Sequence, residues 1–199
     1  MVKMVVVEVR DPDGRVVKRV TANEELFKAS LKLTRESGND LLTLWIYRII
    51  RGLLAPVVAT GGATETFTDT TGTSRTQYMK NNTASNALFF NTSSCANRLW
   101  ISYGNSSTPP TRTDYKLGNK LNEAVAAVTS DESARTVTLT AGWTLTADTT
   151  IYEVGLEWEA CVSSYTVCGR VLVDRTVFPD GILVKAGQTL TISYVISVP

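Results

Sequence analysis

The 199-residue chain contains no histidine. That absence removes Ser–His–Asp and Cys–His nucleophile systems, His-ligated zinc sites and the usual general base near neutral pH. An enzyme built from this sequence has to work with carboxylates, Lys, Tyr or Cys alone. Cysteine is also scarce: Cys95, Cys161 and Cys168 are too few to form a disulfide framework. An excess of either charge is missing as well, with 20 basic against 19 acidic side chains and a net charge of +1. Such a balance supplies no field for steering nucleic acid or an anionic membrane surface. There is no uncharged apolar run of 18 residues, so no membrane span is expected. The stretch Met1–Arg10 mixes charges with short apolar runs and lacks the apolar core of a signal peptide. The chain is expected to fold in the compartment where it is made.

Threonine, in contrast, is abundant, with 28 residues of which 25 follow residue 57. A chain rich in Thr, Val and Tyr with only 13 Gly and 6 Pro reads as mostly β, because those side chains suit a half-buried pleated surface. Residues 2 to 20 form an expected β-hairpin: Met4 to Val9, the turn Asp11-Pro12-Asp13-Gly14, then Val16 to Val20. Thr21 with Glu24 three residues later fits a capping box, which predicts a helix ending at Gly38. Asn39 or Asp40 can cap a second helix over Leu41 to Leu54. That segment is apolar almost all the way round, with Arg48 and Arg51 its only charges. It reads either as a central helix wrapped by its own domain or as one with a face packed on a neighbouring subunit. On the second reading Leu44, Trp45, Ile49 and Leu53 make the assembly contacts.

Composition changes after Pro56. Thr60 to Gly72 reads as a Gly/Thr loop, and Asn81 to Ser94 is rich in Asn, Ser and Thr. From Arg98 onward short strands alternate with turns, near residues 99–103, 124–129, 135–141, 151–161, 168–177 and 189–198. Thr136–Thr140 and Thr189–Ile196 keep a period of two. The expected fold is therefore mainly β: an antiparallel β-sandwich of jelly-roll or Ig-like type, with an N-terminal hairpin and one or two helices. The expected division is an assembly element over 1–56 and a sandwich over 57–199. Residues 1–56 carry 10 Lys/Arg against 7 Asp/Glu and residues 57–199 carry 10 against 12. So mild an N-terminal excess, without interleaved aromatics, argues against nucleic-acid contact.

Three features offer chemistry. Glu153, Glu157 and Glu159 share one face of an expected strand, with Trp158 on the other. Such a face suits a hydrolytic carboxylate pair or a calcium site, and the simpler reading is the polar outer side of a half-buried strand. Cys161 and Cys168 flank an expected hairpin loop, where they either bridge as a disulfide or stay as buried thiols. Trp100, Tyr103, Trp143, Tyr152 and Trp158 are candidates for a sugar-binding platform, although aromatics in a sandwich are more often core. No phosphate loop, dinucleotide fingerprint or Cys-pair metal motif is present, so no catalytic, cofactor or metal residue is nominated.

Three landmarks in the C-terminal half carry a resemblance. The first is Trp100-Ile101-Ser102-Tyr103-Gly104, then Thr108-Pro109-Pro110, Asp114 and Leu117-Gly118-Asn119-Lys120-Leu121. The second is Ile151-Tyr152-Glu153-Val154-Gly155-Leu156. The third is Arg175-Thr176-Val177-Phe178-Pro179 followed by Lys185-Ala186-Gly187-Gln188-Thr189-Leu190. In that order and spacing, residues 98–199 resemble a β-rich module found in structural proteins of tailed phages and some archaeal viruses. The resemblance implies no catalysis and makes Glu153 a structural residue. The expectation is a virion structural protein, made in the host cytoplasm, whose partners are copies of itself and other virion proteins. The alternatives are a cell-surface, pilus-like or carbohydrate-binding sandwich module, and a glycoside hydrolase using Glu153, Glu157 or Asp174.

Overall fold

The computed structural model describes residues 2–25, 64–78, 98–111, 113–161 and 168–197. Within them the chain forms β1 (Val2–Arg10), β2 (Val16–Glu25), β3 (Thr64–Thr68), β4 (Ser74–Tyr78), β5 (Leu99–Gly104) and β6 (Lys120–Val125). It continues as β7 (Ala127–Asp131), β8 (Thr136–Thr144), β9 (Thr149–Cys161), β10 (Cys168–Val184) and β11 (Thr189–Ser197). One sheet has the order β2-β1-β11-β8-β7, the second β10-β9-β5-β6, and β3-β4 is a separate hairpin. Every pairing is antiparallel.

The first hairpin closes as its turn chemistry requires. Gly14 takes φ 83° and its N–H donates to the Asp11 carbonyl at 2.9 Å, while the Asp11 carboxylate accepts the Arg15 N–H at 2.8 Å. The capping-box expectation at Thr21 and Glu24 fails. β2 runs on through Glu25, with Thr21 opposite Val6 and Glu24 opposite Lys3. The nine-residue β1 offers a ladder down to Val2, and pairing along it outweighs the local helix signal. The rest of that predicted helix, and the second helix with Leu44, Trp45, Ile49 and Leu53, lie outside the described residues.

The hairpin does not stand apart from the sandwich, because β1 pairs with β11 along its whole length, from Val2 opposite Ser197 to Arg10 opposite Thr189. Residues 2–25 therefore belong to the same sheet as β7, β8 and β11, while the expected division at residue 56 falls outside the described residues. The expected Gly/Thr loop over 60–72 contains β3 and the turn into β4. The expected strand over 124–129 is two strands, since the Ala126 N–H donates to the Leu99 carbonyl at 2.8 Å where the chain crosses between sheets.

Alternation along the strands builds the core. Val5, Val7 and Val9 of β1, Leu190, Ile192 and Tyr194 of β11, and Leu139 and Ala141 of β8 pack against the second sheet. That sheet contributes Ile101 and Tyr103 of β5 and Val154, Leu156 and Trp158 of β9. Tyr103 and Trp143 meet edge to face between the sheets, with ring centroids 5.0 Å apart. The other side of the second sheet is also covered. The loop between β5 and β6 folds back over β9, burying Leu117 above Gly155, where a Cβ would collide with the Leu117 side chain.

Candidate functional site

The register of β9 with its neighbours sorts the chemistry-bearing side chains onto two faces. Val154, Leu156 and Trp158 look into the sandwich, so Glu153, Gly155 and Glu157 look the other way. On β10, Asp174 stands opposite Leu156 and shares the inner side, whereas Arg175 stands opposite Gly155 on the outer side. A register shift between Leu172 and Asp174 places these two consecutive residues as they are.

The expectation of a polar face turned to water is overturned for two of its three glutamates. Glu153 and Glu157 are fully buried, and only Glu159 is half-buried. Glu153 accepts the Arg175 Nε–H at 2.7 Å, the Gly118 N–H at 3.0 Å, the Asn119 N–H at 2.8 Å and the Ser106 N–H at 3.3 Å. Arg175, only 4% exposed, donates onward to Asp114 Oδ2 at 2.8 Å and to the carbonyls of Thr108 at 3.0 Å and Pro109 at 3.5 Å. One arginine thus ties the loop to the strand behind it, in a fork that a lysine cannot reproduce. Burial pushes the Asp114 carboxyl up, but its hydrogen bonds from Thr111 and the Arg175 guanidinium outweigh this and hold it below its ordinary value. Burial likewise pulls the Arg175 guanidinium down, and Asp114 with Glu153 more than offsets it.

Glu157 accepts the Ser102 hydroxyl at 2.8 Å and lies 3.3 Å from Lys120 Nζ. Beside it Arg170 pairs with Glu123 and stacks over the Trp100 ring, 3.7 Å from the centroid. The Trp100 Nε1–H donates to Glu159 at 3.1 Å.

Inside the sandwich, Lys3 Nζ donates to Asp174 Oδ1 at 2.7 Å, joining β1 of one sheet to β10 of the other. The Thr176 hydroxyl donates to Asp174 Oδ2 at 3.1 Å. The Tyr194 hydroxyl is buried close by without a well-formed hydrogen bond. Burial and the Asp174 charge raise its pKa well above the ordinary phenol value.

Three expected constellations therefore resolve differently. Glu153 and Glu157 share a face, but Asp174 lies on the opposite side of the sheet, so the three acids proposed for a hydrolase do not converge. Of the aromatic platform, Tyr103 and Trp158 are core residues, Trp143 packs on Tyr103, and Trp100 is covered by Arg170. Cys161 and Cys168 are brought directly opposite each other by the β9–β10 register. A shallow groove of about 400 Å³ opens between Ser106, Thr113, Tyr115, Lys116 and Arg175. Arg175 reaches it with every donor group already engaged by the loop and Glu153. Sequence reasoning missed Lys3, although a lysine in phase with Val5, Val7 and Val9 marks an inward charge that requires a carboxylate partner. Among the described residues no cluster of three or more Cys, Asp or Glu side chains is arranged to hold a metal ion. No helix of the described residues is long and apolar enough to cross a membrane.

Set against family models, curated proteins and solved structures, the chain matches none.

Proposed function

We propose that the chain is a non-enzymatic virion structural protein, made in the host cytoplasm, that packs against copies of itself and other virion proteins. The observation that carries this reading is the inward use of its reactive side chains. Glu153, Glu157, Asp174 and Arg175, none more than 4% exposed, brace the sheets and a loop, while Val16, Val17, Val125, Val128 and Val137 stand exposed on the surface. A braced block with little net charge suits close packing between subunits, where burial of apolar area drives association. The sandwich is read as a jelly-roll-like or Ig-like module, supported by hairpins that alternate between the sheets, β5–β6 and β9–β10 in one, β7–β8 in the other. The apolar segment Leu41–Leu54 is read from its sequence as a further source of subunit contacts.

Electron microscopy with light scattering on the purified chain tests the reading. Regular particles, rings or fibres whose mass grows with concentration are expected. A monomer that persists to millimolar concentration overturns it.

A further inference from the structure

Cys161 ends β9 and Cys168 begins β10, and the register sets the two directly opposite each other. Opposite positions in an antiparallel ladder are of two alternating kinds. At one kind the two residues exchange backbone hydrogen bonds and their Cα atoms lie about 5.5 Å apart. At the other they exchange none, and the Cα atoms approach to about 4.5 Å. Which kind the cysteines occupy decides how close their backbones come.

The neighbouring hydrogen bonds fix it. Two positions further into the ladder Glu159 stands opposite Arg170. The Glu159 N–H donates to the Arg98 carbonyl at 2.9 Å, on the β5 side and away from β10. The Arg170 carbonyl accepts the Thr70 N–H of the β3–β4 turn at 2.7 Å, away from β9. The N–H and C=O of one strand residue point to the same side, so this pair exchanges no hydrogen bonds. The two register shifts of the ladder lie beyond it, at Leu172/Asp174 and Val177/Ile182. Alternation then makes Ala160–Gly169 a hydrogen-bonded pair and Cys161–Cys168 a non-hydrogen-bonded one. A Cα spacing of about 4.5 Å falls within the span of roughly 4.4–6.8 Å that a disulfide bridges.

We propose that Cys161 and Cys168 form an intramolecular disulfide across the β9–β10 pair, with a small-molecule disulfide such as oxidised glutathione as the oxidant. The thiolate of one cysteine attacks a sulfur of that disulfide, forming a mixed disulfide and releasing one thiol. The thiolate of the other cysteine then attacks the protein sulfur of the mixed disulfide and expels the second thiol. Two protein thiols lose two protons and two electrons, and the small disulfide is reduced to two thiols. The bond fastens the edge strand β10 to β9 two residues from Arg170, where the β3–β4 turn and the Trp100 ring meet that strand. The inference goes beyond subunit packing and does not depend on it.

Mass spectrometry on the full chain tests this after incubation with oxidised glutathione, denaturation, alkylation with iodoacetamide and digestion with trypsin. Trypsin releases residues 136–170 as one peptide holding both cysteines, and residues 81–98 as another holding Cys95. The 136–170 peptide is expected without alkyl groups and two hydrogens lighter than its dithiol form, and Cys95→Ser should give the same result. Cys161→Ser should instead leave Cys168 as a glutathione adduct. Two alkyl groups on the 136–170 peptide, glutathione on both cysteines, or a bond from either to Cys95 or to a second copy overturns the pairing. Because cysteines this near in sequence can also meet in an unfolded chain, the equilibrium constant for closure is compared in glutathione buffers with and without urea. The folded chain is expected to favour closure about tenfold more than the unfolded chain. An equal or smaller constant in the folded chain overturns the proposal. A closed bond in a chain that stays monomeric supports it and overturns only the assembly reading.

Discussion

The two faces of the β9–β10 pair each bury a carboxylate against a cation, and the two arrangements are not equivalent. On the inner face Asp174 meets the ammonium of Lys3, a compact charge reaching across from the other sheet. On the outer face Glu153 accepts a guanidinium and three backbone amides of one loop. A buried pair of the first kind adds little net stability over apolar packing of similar volume, because its attraction mostly repays desolvation. The second kind satisfies backbone groups that no apolar side chain can satisfy. The inner pair sets which residues face each other between the sheets, and the outer clasp sets where the loop lies.

The largest expected effect tests the outer clasp. Arg175→Met leaves Glu153 buried without its cation and is expected to cost about 3–5 kcal/mol in urea unfolding. Adding Glu153→Leu removes that orphaned charge but strands the amides of Gly118 and Asn119, at about 1–3 kcal/mol each. The double variant should therefore stay far below the unaltered chain, with faster proteolysis between residues 105 and 119. Full recovery of stability in the double variant contradicts the distinction between the faces.

On the inner face the same design should give the opposite result. Asp174→Leu alone leaves the Lys3 ammonium enclosed and is expected to cost about 3–5 kcal/mol. Combining it with Lys3→Met and with Thr176→Val, which removes the hydroxyl that Asp174 also accepts, should return the midpoint to within about 1 kcal/mol of the starting protein, as the fully apolar replacement of a buried pair commonly does. A triple variant as unstable as the single would show that the inner pair fixes groups beyond the Thr176 hydroxyl.

A smaller effect probes how the loop reaches the sheet. Gly155→Ala places a methyl against the Leu117 side chain and is expected to cost about 1–3 kcal/mol through overpacking. Leu117→Ala in the same chain should remove the collision, so the two changes together cost less than the sum of each alone. Strict additivity in thermal unfolding would place Leu117 elsewhere than over Gly155.

The strands were legible in the sequence where the alternation was local. β8 and β11 follow from the period-two patterns at Thr136–Thr140 and Thr189–Ile196, and the first hairpin follows from Asp11-Pro12-Asp13-Gly14. The burial of Glu153 and Glu157 was not legible, because an outward polar face reads the same whether water or a distant loop covers it. The cover comes from residues 105–119, more than thirty positions away from Glu153, and only the fold brings them together. Thr21 and Glu24 show the reverse failure: a sound local motif gave way to a partner strand that local reasoning did not weigh. The Lys3–Asp174 pair spans nearly the whole chain, and only the phase of Lys3 with three valines hinted at it.

The smallest expected effect is a dependence on pH confined to the outer face. The Asp114 carboxyl sits below its ordinary pKa in the fold, because the Thr111 hydrogen bonds and the Arg175 guanidinium outweigh the opposing effect of burial. A depressed carboxylate contributes stability that is complete above its unfolded pKa of about 3.9 and fades as the pH falls through the lower folded value. Acidification through that range should therefore loosen the loop in the unaltered chain, and Asp114→Asn should flatten this part of the profile. Hydrogen exchange of the Gly118 and Asn119 amides, compared between the two proteins from pH 5 downward, reads the effect at the loop itself. Equal acid sensitivity in both would assign the loosening to other carboxylates, such as Glu123, which burial pushes up but Arg170 and Lys120 hold below its ordinary value.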